Sequence, residues 1–239
     1  MASQTPLTGQ SALISGASRG IGLAIARRLG QMGARVAICA RDANRLEQAS
    51  SALAREGIQN IALPADVTSA AGVSSIIAAA YKSFGFIDIL VNNAGIGRFG
   101  PIHEFNEADW DALLDTNLKG VFLASRAVIP GMISRGRGHI INIASLAGKN
   151  SFAGGSVYCA SKWGLLGLTY CMAEDLRGYG IRVAAICPGS VATEFSPHPG
   201  KKMDNILQPE DVAHAVAMVL TEAPQSFISE VLLRPTKKP

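Results

Sequence analysis

The chain has 239 residues, enough for one sizeable α/β domain, and its 48% of hydrophobic against 17% of charged residues excludes a disordered chain. The formal charge of +4 is spread along the sequence rather than gathered into a basic stripe, which argues against a nucleic-acid partner. No apolar run approaches the roughly eighteen residues of a membrane span, and the polar start "MASQTPLTGQ" is unlike a secretory signal, so we expect no membrane partner and a cytoplasmic location.

Short runs rich in valine and isoleucine alternate with longer helical patterns along the chain. The predicted strands cover residues 11–15, 35–40, 60–65, 87–93, 138–145, 182–189 and 230–234. Helical patterns cover residues 21–33, 44–56, 70–85 and 107–134, and a further helix carries Tyr158. The strands lack polar alternation, as expected for a sheet that is covered on both faces. We therefore predict an α/β fold in which a single domain, residues 1–239, forms a doubly wound parallel sheet with helices on both faces.

One irregular stretch interrupts this alternation near the end of the chain. Residues 193–209, "TEFSPHPGKKMDNILQP", combine proline, glycine and polar residues, a composition that is typical of a surface loop. We predict that this segment is a substrate loop and that a helix begins at Pro209.

Glycines cluster where the first strand meets the first helix. The stretch "SGASRGIG" places Gly16, Gly20 and Gly22 in that turn. Glycine permits positive φ and lets a phosphate come close to the backbone, while the start of a helix offers unpaired N–H groups. Three glycines can also simply make a tight turn, but the strand–turn–helix context favours a nucleotide-binding, Rossmann-type unit.

Tyr158 and Lys162 lie four residues apart in the helical stretch "SVYCASKWG". Side chains at this spacing share one face of a helix, so we expect the ammonium to lie near the phenol. An unperturbed tyrosine has a pKa of about 10 and exchanges protons poorly at neutral pH. The nearby positive charge is expected to lower that pKa and so to make Tyr158 a usable general acid or base.

Together with motifs elsewhere, these features make the chain resemble the short-chain dehydrogenase/reductase family in its classical form. The glycine spacing is G-x-x-x-G-x-G, "NNAG" covers residues 92–95, "DTNLKG" contains Asn117, Ser145 precedes Tyr158 by thirteen residues, and "PGSVAT" covers residues 188–193. The matches follow one another over nearly the whole chain. The resemblance implies an oxidoreductase that transfers a hydride between a nicotinamide cofactor and a carbonyl or secondary alcohol.

The resemblance also implies a role for each matched residue. Tyr158 would be the general acid or base, and Ser145 would donate a hydrogen bond to the substrate oxygen. Lys162 would also bind the nicotinamide ribose, and Asn117 would help to hold a water that links Lys162 to a proton relay. The predicted cofactor-binding residues are Gly16, Ser18, Arg19, Gly20, Ile21, Gly22, Arg41, Asp66, Val67, Asn93, Ala94, Gly95, Tyr158, Lys162, Pro188, Gly189, Val191 and Thr193. No metal site is expected, because the four cysteines lack ligand spacing.

The end of the second strand bears on the choice of nicotinamide cofactor. Ala40 stands where an NAD-preferring fold usually has Asp or Glu, and Arg41 follows it. A guanidinium can pair with the 2′-phosphate of NADP, and Arg19 in the glycine turn is a second candidate partner. We therefore predict NADP(H) rather than NAD(H), although Asp42 would face the ribose if the strand ended one or two residues later. Asp66 is predicted to accept a hydrogen bond from the adenine or, alternatively, to cap the next helix.

The helix around Tyr158 is apolar almost all the way round, with Trp163, Leu166, Leu168 and Met172 on its further faces. A helix of this kind is usually buried on more than one side. We therefore predict a homo-oligomer, a dimer or a tetramer, as is common in the family.

The predicted substrate is a small-molecule carbonyl compound or alcohol, and two substrate classes stay open. The motifs suit a 3-oxoacyl-carrier-protein reductase, and an acyl carrier protein would then dock on surface arginines, of which the candidates are Arg126, Arg135, Arg137 and Arg177. The short loop and the tail "SEVLLRPTKKP" are more similar to relatives that act on small ketones or 3-hydroxy acids. An alternative of a different class is a non-catalytic NADP-binding regulatory protein on the same fold, although the filled catalytic positions argue against it.

Overall fold

The computed structural model describes residues 5–195 and 205–237, so the middle of the predicted substrate loop, residues 196–204, lies outside the described residues. The strands of the described residues are β1 (Ser11–Ser15), β2 (Arg35–Ala40), β3 (Asn60–Pro64), β4 (Ile89–Asn92), β5 (Gly138–Ile143), β6 (Ile181–Pro188) and β7 (Glu230–Leu233). All pair in parallel, in the order β3-β2-β1-β4-β5-β6-β7. The predicted doubly wound parallel sheet is thereby confirmed.

Helices connect the strands, as the alternation predicted. They are α1 (Gly20–Gln31), α2 (Ala43–Arg55), α3 (Ala70–Phe84), α4 (Glu107–Leu114), α5 (Gly120–Arg135), α6 (Ser156–Arg177) and α7 (Pro209–Leu220). α7 begins at Pro209 as predicted, and the Asp211 carboxylate accepts a hydrogen bond from the Gln208 N–H at 2.8 Å. Within the described ranges, no helix is long and apolar enough to cross a bilayer.

The helical region predicted over residues 107–134 is helical throughout, but in three parts rather than one. A π-helical turn, Asp115–Lys119, separates α4 from α5. The wider turn carries Thr116 and Asn117 inward, where both side chains are buried. Such turns are rare and occur frequently at functional sites.

Each face of the sheet buries its own apolar cluster. On one face Ile14 of β1 packs with Leu29 of α1 and Val216 of α7. On the other face the neighbouring Leu13 packs with residues of α3, α5 and α6, among them Val128. Successive strand residues point to opposite faces, and helices cover both faces, which is why the strands show no polar alternation.

The strand order reverses between β1 and β4, which are neighbours although β2 and β3 lie between them in sequence. The connections after these two strands leave in opposite directions, so a crevice opens at their carboxyl ends. Ser15 Oγ accepts hydrogen bonds from the N–H groups of Asn93 and Ala94, both at 3.1 Å. Asn93 Nδ2 donates in return to the Ser15 and Gly16 carbonyls, both at 3.0 Å. These bonds hold the glycine turn against the "NNAG" motif.

His139 lies at the amino-terminal end of the strands, near the start of β5. Its Nε2 atom is buried with no hydrogen-bond partner among the described residues. Burial, reinforced by the charge of Arg182 and opposed by that of Asp88, lowers the pKa of His139 to about 4. In an unfolded chain a histidine titrates near pH ~6.5. Between these two values the unfolded state binds more protons, so the free energy of unfolding falls as the pH falls.

We expect the free energy of unfolding to fall by up to about 3 kcal/mol between pH 7 and pH 4 because of this histidine. Each unit of its pKa shift corresponds to about 1.4 kcal/mol. The free energy of unfolding of His139→Gln, measured by urea denaturation, should fall correspondingly less over the same pH interval. His103→Gln is the matched control, because the His103 side chain is 77% exposed. Identical pH dependence of the native chain and His139→Gln would contradict the assignment.

Candidate active site

The turn after β1 presents backbone rather than side chains to the crevice. Gly16 and Gly20 have φ angles of 65° and 55°, a region that residues with a Cβ rarely adopt. A Cβ on Gly16 would lie 2.8 Å from Ala94 Cα, and one on Gly22 would lie 2.4 Å from the Gly16 carbonyl oxygen. The N-cap residue of α1, Arg19, makes no capping hydrogen bond with its side chain. The N–H groups of the first helical turn are therefore available to an anion.

Gly22→Ala is expected to damage this turn far more than the addition of one methyl group suggests. The new Cβ would meet the Gly16 carbonyl oxygen and Asn93 Nδ2, at 2.4 and 2.5 Å, so α1 and the "NNAG" segment must move apart. We expect the free energy of unfolding to fall by about 1–3 kcal/mol, and the affinity for adenine nucleotides to fall roughly tenfold in calorimetry. Gly167→Ala is the control, since no atom lies within 4 Å of a Cβ at that position. Equal effects of the two substitutions would contradict the close-packing argument.

α6 brings Tyr158 and Lys162 to the same crevice, beside the end of β5. Both side chains are buried. Lys162 Nζ donates to the carbonyl of Ile143, the last residue of β5, at 3.0 Å, and lies 5.9 Å from the centre of the Tyr158 ring. The two side chains therefore share a helix face, as the spacing predicted, and the sheet holds the ammonium in place.

The prediction that Lys162 lowers the pKa of Tyr158 does not match the environment that the protein provides. Burial raises the pKa of Tyr158 to about 12, and the opposing effect comes from a hydrogen bond with Ser145, not from Lys162. Burial also lowers the pKa of Lys162 to about 8. Removal from water disfavours the phenolate and the ammonium alike, and a 5.9 Å separation does not offset this. The phenol is thus protonated at neutral pH, which is the form a general acid needs.

A second tyrosine–lysine pair lies outside the crevice. Lys149 Nζ donates to Tyr170 Oη at 2.6 Å, and Tyr170 Oη donates to Glu230 Oε1 at 2.8 Å. The hydrogen bond to Glu230 raises the pKa of Lys149. Tyr170 is 37% exposed, and neither it nor Lys149 lines the crevice. This pair joins α6 to β7, and Tyr158 is the tyrosine that the crevice contains.

Ser145 follows β5 and begins a short 3₁₀ turn, Leu146–Gly148. Its Oγ accepts a hydrogen bond from the Ala147 N–H at 3.0 Å, which fixes the orientation of the hydroxyl group. The hydrogen bond that lowers the pKa of Tyr158 places the serine and tyrosine hydroxyl groups side by side. One oxygen atom of a ligand can therefore meet both.

Asn117 lies on the π-helical turn and is 1% exposed. Its Oδ1 accepts from the Ile96 N–H at 2.9 Å, while Nδ2 donates to the Ile96 carbonyl at 3.0 Å and to Ser161 Oγ at 3.1 Å. The side chain thus fastens the segment after "NNAG" to α6, one residue from Lys162. Its predicted part in holding a water stays a prediction.

At the other end of the crevice, β2 ends at Ala40, as predicted. Arg41 follows as an exposed residue on the rim of the crevice. Asp42 caps α2: its Oδ1 accepts from the Arg45 N–H at 3.0 Å. Its carboxylate is therefore engaged by the helix start, which weakens the alternative that Asp42 serves a ribose.

Asp66 follows β3 and lines the crevice. Its Oδ1 accepts hydrogen bonds from the N–H and Oγ1 of Thr68, both at 2.9 Å. The cap of α3 is Ser69, whose side chain accepts from the Gly72 N–H. The alternative that Asp66 caps this helix is therefore wrong.

The sequence reasoning missed two charged residues at the rim. The Glu194 carboxylate pairs with Arg19, and at 3.5 Å with Arg45. Arg45 lies only four residues after Arg41, in the first turn of α2, so the sequence already placed a third basic residue close to the end of β2. Glu194 gives no comparable signal, because only the fold brings the end of "PGSVAT" to the glycine turn.

The crevice is a continuous cleft of about 1590 Å³, larger than the roughly 300–1,000 Å³ of a site for one small molecule. Every predicted cofactor-binding residue lines it except Gly22, which lies beneath the turn. Ser145, Tyr158 and Lys162 also line it, and Asn117 lies behind the wall. Glu194 and Phe195, which belong to the predicted substrate loop, also line it. Lining residues that were not predicted are Arg45, Ile96, Phe99, Thr116, Arg234, Pro235, Thr236 and Lys237, among others.

The residues present fit a dinucleotide. The backbone cradle at the uncapped start of α1 suits a pyrophosphate, arginines stand at one end, and the hydroxyl groups of Ser145 and Tyr158 stand at the other. In the part of the chain that the structure describes, no group of three or more His, Cys, Asp or Glu side chains could hold a metal ion.

Known proteins resemble this chain over most of its length. A family model described as short chain dehydrogenase matches residues 10–203. Gluconate 5-dehydrogenase of Gluconobacter oxydans is 42% identical over 190 residues, which are 80% of this chain and 74% of that protein. Glycine betaine reductase ATRR of Emericella nidulans is 34% identical over 98% of this chain, but the match spans only 19% of that much longer protein.

Two solved structures share the fold. A metagenomic short-chain oxidoreductase in complex with NADP is 45% identical, with a TM-score of 0.87 over 98% of this chain and 100% of that chain. An alcohol dehydrogenase from the archaeon Thermococcus sibiricus, complexed with 5-hydroxy-NADP, is 30% identical, with a TM-score of 0.89 over 96% and 98% of the two chains.

Proposed function

The chain belongs to the short-chain dehydrogenase family, and from this premise we propose that it is an NADPH-dependent reductase of a carbonyl compound, reversible as a dehydrogenase of the secondary alcohol. The observation that carries the proposal is the convergence of Ser145, Tyr158 and Lys162 on the cleft that contains the glycine turn. A regulatory protein that only bound the nucleotide would gain nothing from a buried tyrosine and lysine whose ionised forms burial disfavours.

When bound, the reduced nicotinamide supplies the hydride that adds to the carbonyl carbon. Ser145 Oγ and Tyr158 Oη bind the carbonyl oxygen and stabilise the charge that develops on it. Tyr158 gives its proton to that oxygen, and the hydrogen bond with Ser145 stabilises the phenolate that remains. The Lys162 ammonium, held on the same helix face, would bind the nicotinamide ribose. Oxidation needs the phenolate instead. Because burial raises the pKa of Tyr158 to about 12, we expect the oxidation rate to rise with pH through the alkaline range.

We propose NADP(H) in preference to NAD(H) on the charges at the adenosine end of the cleft. Arg19, Arg41 and Arg45 line this end, whereas Asp42 is engaged as a helix cap. Guanidinium groups pair with a 2′-phosphate, and an unengaged carboxylate would repel it. Both solved relatives were captured with a form of NADP, which supports the same choice.

We favour a small carbonyl compound over a 3-oxoacyl chain on an acyl carrier protein. Of the arginines predicted to dock the carrier, Arg135 and Arg137 pair with the buried Asp88, at 3.1 and 3.4 Å, and Arg177 pairs with Glu174 at 3.0 Å. Their charges are therefore already partly neutralised within the chain. The acyl-carrier reaction stays the second version of the same chemistry.

We also propose a homo-oligomer in the cytoplasm. Trp110 of α4, Phe122 of α5 and Trp163 of α6 are 41%, 45% and 55% exposed, which supports a partner surface on these helices. Leu166 and Met172, which the sequence assigned to such a surface, are buried within the chain instead. The cysteines of the described residues are unpaired, in keeping with a reducing compartment.

The test follows NADPH and NADH oxidation in parallel over a panel of ketones that includes 3-oxoacyl thioesters. We expect turnover with NADPH, at roughly tenfold or greater preference over NADH. Tight NADPH binding without turnover of any carbonyl would favour the regulatory alternative. A preference for NADH would overturn the choice of cofactor but not the reaction.

A further inference from the structure

Two phenylalanine rings contact Tyr158 at the substrate end of the cleft, and a third contacts one of them. Phe99 follows β4, Phe152 precedes α6 and Phe195 follows β6; we call these three residues the aromatic collar. The ring centres of Phe99 and Phe195 lie 5.3 and 6.0 Å from that of Tyr158, and Phe152 lies 6.0 Å from Phe99. All three side chains line the cleft. Three separate chain segments thus bring aromatic rings together beside the tyrosine that carries the proton.

The aromatic collar leaves a large apolar area in contact with water. Phe99, Phe152 and Phe195 are 46%, 49% and 41% exposed. Burial of a phenylalanine side chain is strongly favourable, so half-exposed rings gathered around a reactive hydroxyl group indicate a surface that a ligand covers. Gly97 lets two of the rings approach, since a Cβ there would lie 3.0 Å from both Phe99 and Phe195.

The neighbouring wall also contributes apolar residues, beside Asn150 and Ser151, which precede Phe152 and line the cleft too. Ile96 lies three residues before Phe99, and Leu146 and Ala147 directly follow Ser145; these three apolar residues line the cleft. A polyhydroxylated substrate needs several hydrogen-bonding side chains to replace the water that it loses. The collar offers none, so the structure does not favour a sugar acid such as the one named for the Gluconobacter relative.

We propose that the substrate carries an aromatic ring beside its carbonyl carbon, so that the protein interconverts aryl ketones and the corresponding secondary alcohols with the ring held in the aromatic collar. The inference rests on the proposed function. The collar contacts meet at interplanar angles of 49° to 67°, the tilted and edge-on geometry that aromatic rings prefer and that a further ring continues. In the reduction, the hydride of NADPH goes to the carbonyl carbon and the Tyr158 proton goes to the oxygen.

A matched trio of ketones tests the class: 1-phenylethanone, cyclohexyl methyl ketone and 2-butanone. We expect kcat/KM for the aryl ketone to exceed that for the cyclohexyl ketone by about two- to tenfold, and that for 2-butanone by a larger factor. Phe99→Leu should reduce the aryl preference, whereas Tyr179→Leu, at an exposed position after α6, should not. An equal or greater rate for the cyclohexyl ketone, or for 5-ketogluconate, would overturn the inference.

A binding experiment separates this inference from the reaction on which it rests. The Tyr158→Phe variant loaded with NADPH forms a complex that cannot transfer the proton, so ketone dissociation constants can be measured by calorimetry. We expect the aryl ketone to bind more tightly than the cyclohexyl ketone, and Phe99→Leu to remove the difference. Aryl-selective binding without turnover in the native chain would overturn the reaction alone. Turnover of ketones without aryl selectivity in either assay would overturn the aromatic class alone.

A different observation carries a second inference, at the adenosine end of the cleft. The Glu194 carboxylate pairs with Arg19 and with Arg45, and Arg45 also lies 3.5 Å from Asp42. Glu194, Arg19 and Arg45 are 68%, 50% and 52% exposed, so these ion pairs contribute little to stability and are easily exchanged for another anion. A carboxylate here occupies the guanidinium groups that a 2′-phosphate would use.

We infer that Glu194 competes with the 2′-phosphate of NADP for Arg19 and Arg45, and so sets how strongly the cleft discriminates between NADP and NAD. The adjacent residue, Phe195, belongs to the aromatic collar. Displacement of the Glu194 side chain by a phosphate would therefore act on the backbone that also carries a wall of the substrate site.

Calorimetry with adenosine 2′,5′-bisphosphate and with AMP tests this inference without any turnover. Glu194→Gln should tighten the bisphosphate about three- to tenfold and change AMP less than about twofold. Glu174→Gln is the matched control, because it removes an equally exposed, arginine-paired carboxylate that does not line the cleft. An unchanged bisphosphate-to-AMP ratio, or a weaker bisphosphate complex, would overturn the inference. A native chain that fails to prefer the bisphosphate, beside a Gln variant that does prefer it, would support the inference and contradict the cofactor choice alone.

Discussion

Tyr158→Phe is expected to lower kcat for carbonyl reduction by about 10²- to 10⁴-fold while the chain still folds and binds NADPH. The substitution removes one oxygen atom, and with it the proton that the substrate oxygen receives. The ring stays, so its contacts with Phe99 and Phe195 are kept. Steady-state kinetics with NADPH give kcat, and calorimetry gives the nucleotide affinity.

Tyr170→Phe is the control that makes this prediction specific. Tyr170 also lies beside a lysine, with its Oη 2.6 Å from Lys149 Nζ, but outside the cleft. We expect this variant to keep activity within about twofold of the native chain, because exposed hydrogen bonds of this kind contribute little. If Tyr170→Phe were the inactive variant and Tyr158→Phe the active one, the assignment of the catalytic tyrosine would be wrong.

Lys162→Met is expected to abolish most of the activity and at the same time to stabilise the fold. Burial lowers the pKa of Lys162 to about 8, so holding its charge at neutral pH opposes folding by up to about 3 kcal/mol, at about 1.4 kcal/mol per pKa unit. Loss of the hydrogen bond to the Ile143 carbonyl reduces this stabilisation by about 1 kcal/mol. We therefore expect a net gain of about 1–3 kcal/mol in unfolding free energy at pH 7.

The pH dependence gives the sign of this effect. Between about pH 8 and pH 10.5 an unfolded lysine still holds its proton while the folded one has lost it. The native chain therefore becomes more stable as the pH rises through this window, and the advantage of Lys162→Met shrinks. Lys149→Met is the matched control, and we expect it to lower the free energy of unfolding. The hydrogen bond to Glu230 raises the pKa of Lys149, so the charge of this lysine favours the folded state. A Lys162→Met variant that is less stable than the native chain at pH 7 would contradict the argument.

Local patterns were sufficient for the fold. The strands were identified by short apolar runs, and their predicted ends differ from the observed ends by at most two residues. The runs are apolar because both faces of the sheet are covered. The lack of polar alternation therefore indicated a parallel sheet, and the runs themselves indicated the positions of its strands. The break at Asp115–Lys119 left no such trace, since a π-helical turn keeps the composition of a helix.

The candidate site was predicted in part. Motif residues such as Ser145 and Tyr158 lie after a strand or early in a helix. Their position along the chain therefore already places them at the carboxyl ends of the strands. Phe99 and Glu194 lie in irregular segments, where no periodicity states which way a side chain points. Only contacts between distant segments reveal that Phe99 meets Tyr158 and that Glu194 meets Arg19.

The sequence by itself determined the type of sheet and the glycine turn, and it supplied the residues that we propose for proton transfer. The tertiary structure decided the electrostatic environment in which they act. Spacing brings Lys162 onto the face of Tyr158, but spacing carries no information about how much water either side chain keeps. Burial, which depends on the packing of the whole chain, raises the pKa of the phenol and lowers that of the ammonium, the reverse of what their proximity alone implied.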